Sequence, residues 1–467
     1  MSQDGTPHIP TTANTGAVAA MGLDLQEGKV VPRKQVVSWA LWDWATQPFN
    51  SVILTFVFTA LYLTTDTFLA PDLAALPDGS AAKDRAIAEL TSGLGLASTV
   101  AGLAIALIAP VLGQRADAAG KRKFWLLAYT FVLIAVTASL FFVEGQPSFF
   151  QLGAWLVAVG TIFSELAAVN YNAMLVQVST PSTVGRVSGL GWGLGYVGGI
   201  IALVIVVAAY TLDWFGLPQE NGLPFRLVAV GCAIWMLVFL IPFIRNVPEV
   251  PQEVRREKVN FFASYRVLWN DVMDLWRSSR PTFWFLLASA VYRDGLAAVF
   301  TFGAVIASTV FGFEFLEVVI FGIAANLVAG VSTIIAGRYD DRFGAKAVIV
   351  TALVGLVVSG LAVFLLRDAG TIVFWIFGLA LCLFVGPAQA SSRALLARVS
   401  PAGREGAIFG LYATTGRAAS FIAPGLWTLF IALAGSTAWG VLGIVIVLAV
   451  GLMLLLLVRL PKHIRRA

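Results

Sequence analysis

GQRADAAGKRK occupies residues 113–123 and GRYDDRFGAKA residues 337–347. Both read G-x-x-x-D-x-x-G followed by basic residues. The first contains Gly113, Asp117, Gly120, Lys121 and Arg122; the second contains Gly337, Asp341, Gly344 and Lys346, and the three shared positions are offset by 224 residues. A second echo joins VSTPSTVGRVSGL, beginning at Val178, to VSPAGREGAIFGL, beginning at Val399. Each member of a pair stands at the same place in its own half of the chain, so the sequence reads as an internal duplication.

Composition supplies the solvent for those halves. Of 467 residues 58% are apolar and 12% charged, about half the charged share of a soluble domain. The apolar runs are continuous, with no period-2 alternation, and read as membrane helices. Spans of about 20 residues fall near 36–63, 91–113, 124–143, 149–173, 187–210 and 226–244, and again near 282–310, 317–336, 347–366, 371–394, 406–430 and 438–458. The expected fold is an all-α membrane protein of twelve transmembrane helices in two six-helix pseudo-symmetric halves, 36–244 and 282–458. A disordered cytoplasmic N-terminus (1–35), a cytoplasmic linker (245–281) and a basic cytoplasmic tail (459–467) complete it.

Lys and Arg test this topology. With the N-terminus placed in the cytoplasm, 25 of the 31 basic residues fall on that side, Arg393, Arg398 and Arg404 among them as the loop after the tenth span. The exceptions are Lys83, Arg85, Arg226 and Arg367 outside, and Arg293 and Arg417 within spans. This is the positive-inside pattern with both termini cytoplasmic. The formal charge of +5 therefore belongs to topology and to contact with anionic membrane lipids, and excludes a nucleic-acid partner. The N-terminus lacks an apolar core and is not a signal peptide.

The paired loops resemble the signature loop of the major facilitator superfamily, over a stretch from about Val36 to Val458. Within it, WALWDWATQPFNSVI, YNAMLVQVSTPSTVGRVSGLGWGLGYVGG, YRDGLAAV and SRALLARVSPAGREGAIFGLYATTGRAASF are similar to the vacuole-effluxer-like branch, related to autophagy-associated vacuolar amino-acid exporters. The resemblance implies that each signature loop bridges the halves near the cytoplasm and that spans 1, 4, 7 and 10 line the substrate path. Gly113 would permit close backbone approach, and Asp117 would meet a helix N-terminus or an arginine in one conformation and release it in another.

Ionisable residues inside spans are costly and mark function or structural pairing. They are Asp43, Glu165, Arg293, Asp294 and Arg417. Asp43, Thr46, Gln47 and Asn50 share one helical face, as do Thr161, Glu165 and Asn172, and on the eleventh span Gly410, Thr414, Arg417 and Ser420. Pro48 removes a backbone hydrogen bond and predicts a kink. Two readings stand: static ion pairs, such as Asp294 with Arg417, or a carboxylate that exchanges protons while an arginine holds an anionic group. The only histidines, His8 and His463, lie outside the spans, so proton coupling would rest on carboxylates, Asp294 and Glu165 first; sodium coupling stays open.

Other signals carry less. GLGYVG at 193–198 matches G-x-G-x-x-G but lies in an apolar span with no strand before it; Gly189 to Gly199 suit close helix packing. There is no Walker sequence, no nucleophile–base pair and no metal-ligand cluster, and no cofactor is expected. Cys232 and Cys382 read as buried packing. Trp39, Trp42 and Trp44 read as interfacial anchors, and residues 261–277 as an amphipathic helix on the membrane surface. The expected function is secondary transport of a small polar solute, amino acids favoured, across the inner cell membrane, coupled to protons or sodium. The alternatives are efflux of amphipathic compounds and a non-transporting receptor or scaffold; an enzyme is not expected.

Overall fold

The computed structural model describes residues 30–77, 80–249, 260–278, 280–400 and 404–459. The N-terminal segment as far as residue 29 and most of the basic tail lie outside the described residues. Among the described residues twelve helical spans are long and apolar enough to cross a membrane. They are α1 (Arg33–Leu63), α2 (Ala81–Ala119), α3 (Arg122–Phe142), α4 (Pro147–Gln177), α5 (Val184–Thr211), α6 (Glu220–Asn246), α7 (Arg280–Thr309), α8 (Ile320–Phe343), α9 (Ala345–Leu365), α10 (Thr371–Val399), α11 (Glu405–Ala434) and α12 (Ala438–Leu457). A further helix, Phe261–Ser278, lies in the linker. Its Tyr265 hydroxyl donates to the Leu107 carbonyl of α2 at 3.2 Å, so it packs beside that span.

Helix pairings place the site. α1 packs on α5 and α6, and α4 on α2 and α3; six spans later α7 packs on α11 and α12, and α10 on α8 and α9. The two six-helix sets meet mainly along α2–α11 and α5–α8. Lipid gives apolar helices little reason to associate, so close approach through small residues does the work. A Cβ at Gly189 would stand 2.6 Å from the Thr333 carbonyl oxygen of α8, and a side chain at Gly193 would run into Ile334.

Local chemistry shapes two spans away from simple helices. Beyond Pro48, α1 continues as π-helix over Phe49–Phe56 and Thr59–Leu63. The hydroxyls of Thr55, Thr59 and Thr64 donate to the carbonyls five residues earlier, at 2.7, 2.8 and 3.0 Å, adding side-chain hydrogen bonds along this stretch. α11 breaks into Glu405–Ala419 and Ile422–Ala434. Pro424 cannot donate, and its ring clashes with the carbonyl four residues back, at Ser420, where the first segment ends.

Candidate functional site

The signature loops meet helix N-termini of the opposite set. Gly120, at φ 62°, closes α2 in the left-handed region, and Gly344, at φ 88°, closes α8. Asp117 accepts the backbone N–H groups of Gly406 (3.1 Å) and Ala407 (2.9 Å) at the start of α11, and Arg122 Nε donates to it at 2.8 Å. Arg122 also binds Glu405 at 2.5 Å, and all three side chains are buried. Asp341 accepts the N–H groups of Gly185 (2.7 Å) and Arg186 (3.1 Å) at the start of α5, and the Arg186 Nε donates at 2.8 Å. Arg398 of α10 pairs with the neighbouring Asp340 and lies 3.4 Å from Asp341. A side chain at Gly113 would strike the Gly406 carbonyl, and one at Gly337 would put its Cβ 2.6 Å from that of Gly185. Lys121 is exposed. Lys346 caps the end of α12, donating to the carbonyls of Leu456 (3.2 Å) and Val458 (2.6 Å).

Deeper between the sets lies Arg393. The charge pattern groups it with the loop after the tenth span, but it sits inside α10, about 9 Å along the helix from Val399, and is buried. Its Nη1 is 3.0 Å from Asn172 Oδ1 and 3.5 Å from Asp43 Oδ2; Nε donates to Ser188 Oγ at 3.0 Å and Nη2 to the Ser188 carbonyl at 2.6 Å. Trp39, Tyr171 and Trp192 surround the guanidinium carbon at 5.3, 5.4 and 5.7 Å. Trp39 and Trp42 are therefore core residues and not interfacial anchors: both stack on Tyr171, at 4.2 and 4.4 Å between ring centroids. Burial of an arginine here is compensated by a carboxylate, three acceptors and three ring faces.

A third layer lies about 18–20 Å from the loop end of the spans, counting 1.5 Å per residue from Glu405, Gln177 and Arg280. That is mid-depth in a hydrocarbon core of about 30 Å. Here Arg417 Nη2 donates to Glu165 Oε1 at 2.7 Å, joining α11 to α4, with the two side chains 35% and 36% exposed. The static pair of Asp294 with Arg417 is thus not formed. Asp294 instead accepts the Ala423 N–H at 2.5 Å, capping the second segment of α11. Arg293 donates to the Tyr412 carbonyl at 2.8 Å and lies 3.7 Å from that ring centroid. Gln47 lies 3.5 Å from Ser51 Oγ, and Asn50 gives its carbonyl to Thr55; neither reaches the Arg417 pair in these contacts.

Sequence reasoning missed Arg393, Arg398, Asp340, Glu405, Ser188 and Tyr171. The helix starts that receive the two aspartates did carry a signal. The second echo runs at an offset of 221, which matches Gly185 to Gly406, the two glycines at the helix N-termini that receive Asp341 and Asp117.

Twelve spans, joined by two loop-to-helix contacts and enclosing charges at mid-depth, define a multi-pass membrane transporter of the major facilitator type. Solved structures agree on the fold. The E. coli fucose:proton symporter FucP superposes with a TM-score of 0.68 at 14% identity, covering 92% of this chain and 98% of that one. A bacterial homologue of the iron transporter ferroportin in an outward-facing state gives 0.62 at 14% identity, covering 91% and 98%. Residues 176–467 match the family described as vacuole effluxer Atg22 like, and the chain belongs to that family. An uncharacterized MFS-type transporter of Bacillus subtilis, YxiO, is 28% identical over 430 residues, 90% of this chain and 94% of that protein. Autophagy-related protein 22 of Cryptococcus neoformans is 25% identical over 293 residues; the match covers 57% of this chain and 51% of that protein, so this chain spans about half of it.

Proposed function

We propose that the chain is a proton-coupled secondary transporter of a small polar solute bearing a carboxylate, amino acids favoured, working by alternating access in the inner cell membrane. The observation that carries the reading is the half-exposed Arg417–Glu165 pair, which spans the two helix sets at mid-depth beside Arg293, a cation with no carboxylate partner among the ion pairs described. A planar arginine fork suits a carboxylate. An incoming solute carboxylate replaces Glu165 on Arg417, and Glu165, having lost its counter-charge, takes up a proton from the same side. Charge is conserved, and solute and proton are bound together.

The two six-helix halves move as pseudo-symmetric bodies in this reading. The signature loops lie at the cytoplasmic end, where the basic residues are, and their contacts with the α11 and α5 N-termini hold that end shut. The contacts described between the sets run from these loops up to the Arg417–Glu165 pair and the Tyr196–Phe300 ring contact, and this reading takes the state as outward-facing. Purified protein in liposomes loaded with a pH-sensitive dye tests the function. Proton movement that depends on one added amino acid, and is lost in Arg417→Ala, is expected. No flux with any amino acid from folded protein would reject that substrate class and bring efflux of amphipathic compounds forward.

A further inference from the structure

The groups that hold Arg393 all belong to the other helix set. Asp43 and Trp39 lie on α1, Tyr171 and Asn172 on α4, and Ser188 and Trp192 on α5, whereas Arg393 arrives from α10. The pocket is built and not incidental. Trp39 Nε1 is tied to the Tyr171 carbonyl at 3.2 Å, and the stacked rings of Trp39, Tyr171 and Trp42 fix the walls. Gly191 leaves the room the guanidinium occupies: a Cβ there would stand 2.9 Å from Arg393 Nη2 and 2.7 Å from Tyr171 Oη. That Tyr171 hydroxyl is buried beside both Asp43 and Arg393, so it adds a polar group to the same pocket.

A carboxylate, oxygen acceptors and three aromatic faces recognise a cationic nitrogen as such, with no preference for one that is covalently part of the chain. When the loop end opens, α10 draws away from α5 and the arginine must leave. The carboxylate then stands among aromatic rings without its counter-charge, a state strongly disfavoured unless another cation replaces it. We propose that the α1–α4–α5 pocket is a binding site for an ammonium or guanidinium group of a solute, filled by Arg393 while the loop end is closed and by the solute when it is open. Arg393 is thereby a built-in competitor that expels the cationic group as the loop end shuts. The inference rests on the alternating-access reading for the exchange, but the pocket itself is tested without it.

The test uses full-length protein in detergent at constant ionic strength, with tryptophan fluorescence and the unfolding midpoint followed as methylguanidinium or methylammonium is added. Arg393→Ala empties the pocket; at least a tenfold tighter response than wild type is expected, lost again by tenfold or more when Asp43→Asn is added. Arg393→Gln substitutes for the alanine variant if that does not fold. Equal responses with and without Asp43, or no response from a folded Arg393 variant, would overturn the site and leave a proton as the replacement. Gly189→Val, which clashes with Thr333 in the closed state, then tests the exchange: it should respond with Arg393 in place. A response from Arg393→Ala but none from Gly189→Val would keep the pocket and reject alternating access as the means of emptying it.

Discussion

At the scale of single residues, the charges between the helix sets divide by exposure. Arg122, Asp117 and Glu405 are almost wholly enclosed, as are Arg398 and Asp340, whereas Arg417 and Glu165 are each about one-third exposed. A buried network fixes structure, because removing one partner strands a charge at a cost of about 3–5 kcal/mol. A half-exposed pair contributes about 1 kcal/mol or less and is free to exchange partners. Glu165→Gln is therefore expected to shift the unfolding midpoint little, to abolish solute-driven proton movement, and to leave solute-for-solute exchange in liposomes intact. Proton movement persisting in that variant would remove Glu165 from the coupling role. The sequence made Glu165 and Arg417 legible because a charge amid apolar residues stands out. Arg393 was hidden for the opposite reason: it lies six residues from the basic loop end of its helix, where a positive charge is expected for topology alone.

At the scale of elements, α11 shows how a residue chosen for its charge can serve a helix end. Asp294 accepts the Ala423 N–H where Pro424 has broken the span. A carboxylate at that place satisfies an orphan donor and faces the positive end of the helix dipole. Asn caps nearly as well as Asp, and Ala does not. Asp294→Ala is thus expected to cost about 1–2 kcal/mol, seen as a lowered unfolding midpoint, while Asp294→Asn keeps both stability and transport. Loss of coupled transport in a stable Asp294→Asn protein would return this carboxylate to the proton pathway. Span existence was readable from hydropathy, but the break and the π-helical stretch of α1 were not. Both involve side chains bonded to the backbone, Asp294 from another helix and threonine hydroxyls five residues on, and a hydropathy window carries no such information. α2 likewise runs from Ala81, ten residues before the expected start, because Asp84, Arg85 and Glu89 lie on a helical extension beyond the apolar window.

At the scale of the whole molecule, two separate contacts join the helix sets at the loop end, and under the alternating-access proposal both hold that end closed. Asp117 binds the start of α11 with Arg122 and Glu405; Asp341 binds the start of α5 with Arg186 and Arg398. The two share no residue and join different helix pairs, so their contributions should add in free energy and multiply in population. Hydrogen bonds to a charged acceptor are worth about 1.5–3 kcal/mol, which is roughly tenfold or more in the open fraction for each aspartate neutralised. A cysteine at Ala390, buried where α10 meets Ser188 of α5, reports that fraction through its rate of labelling by a polar maleimide. The native thiols Cys232 and Cys382 are both buried, so background labelling is low. Asp117→Asn and Asp341→Asn are each expected to speed labelling about tenfold, and the double variant by about the product. A double variant no faster than the quicker single one would mean that one contact alone governs closure. No acceleration in any of the three would mean that neither contact does, and that the glycine-lined seam between α5 and α8 keeps this end of the molecule shut by packing alone.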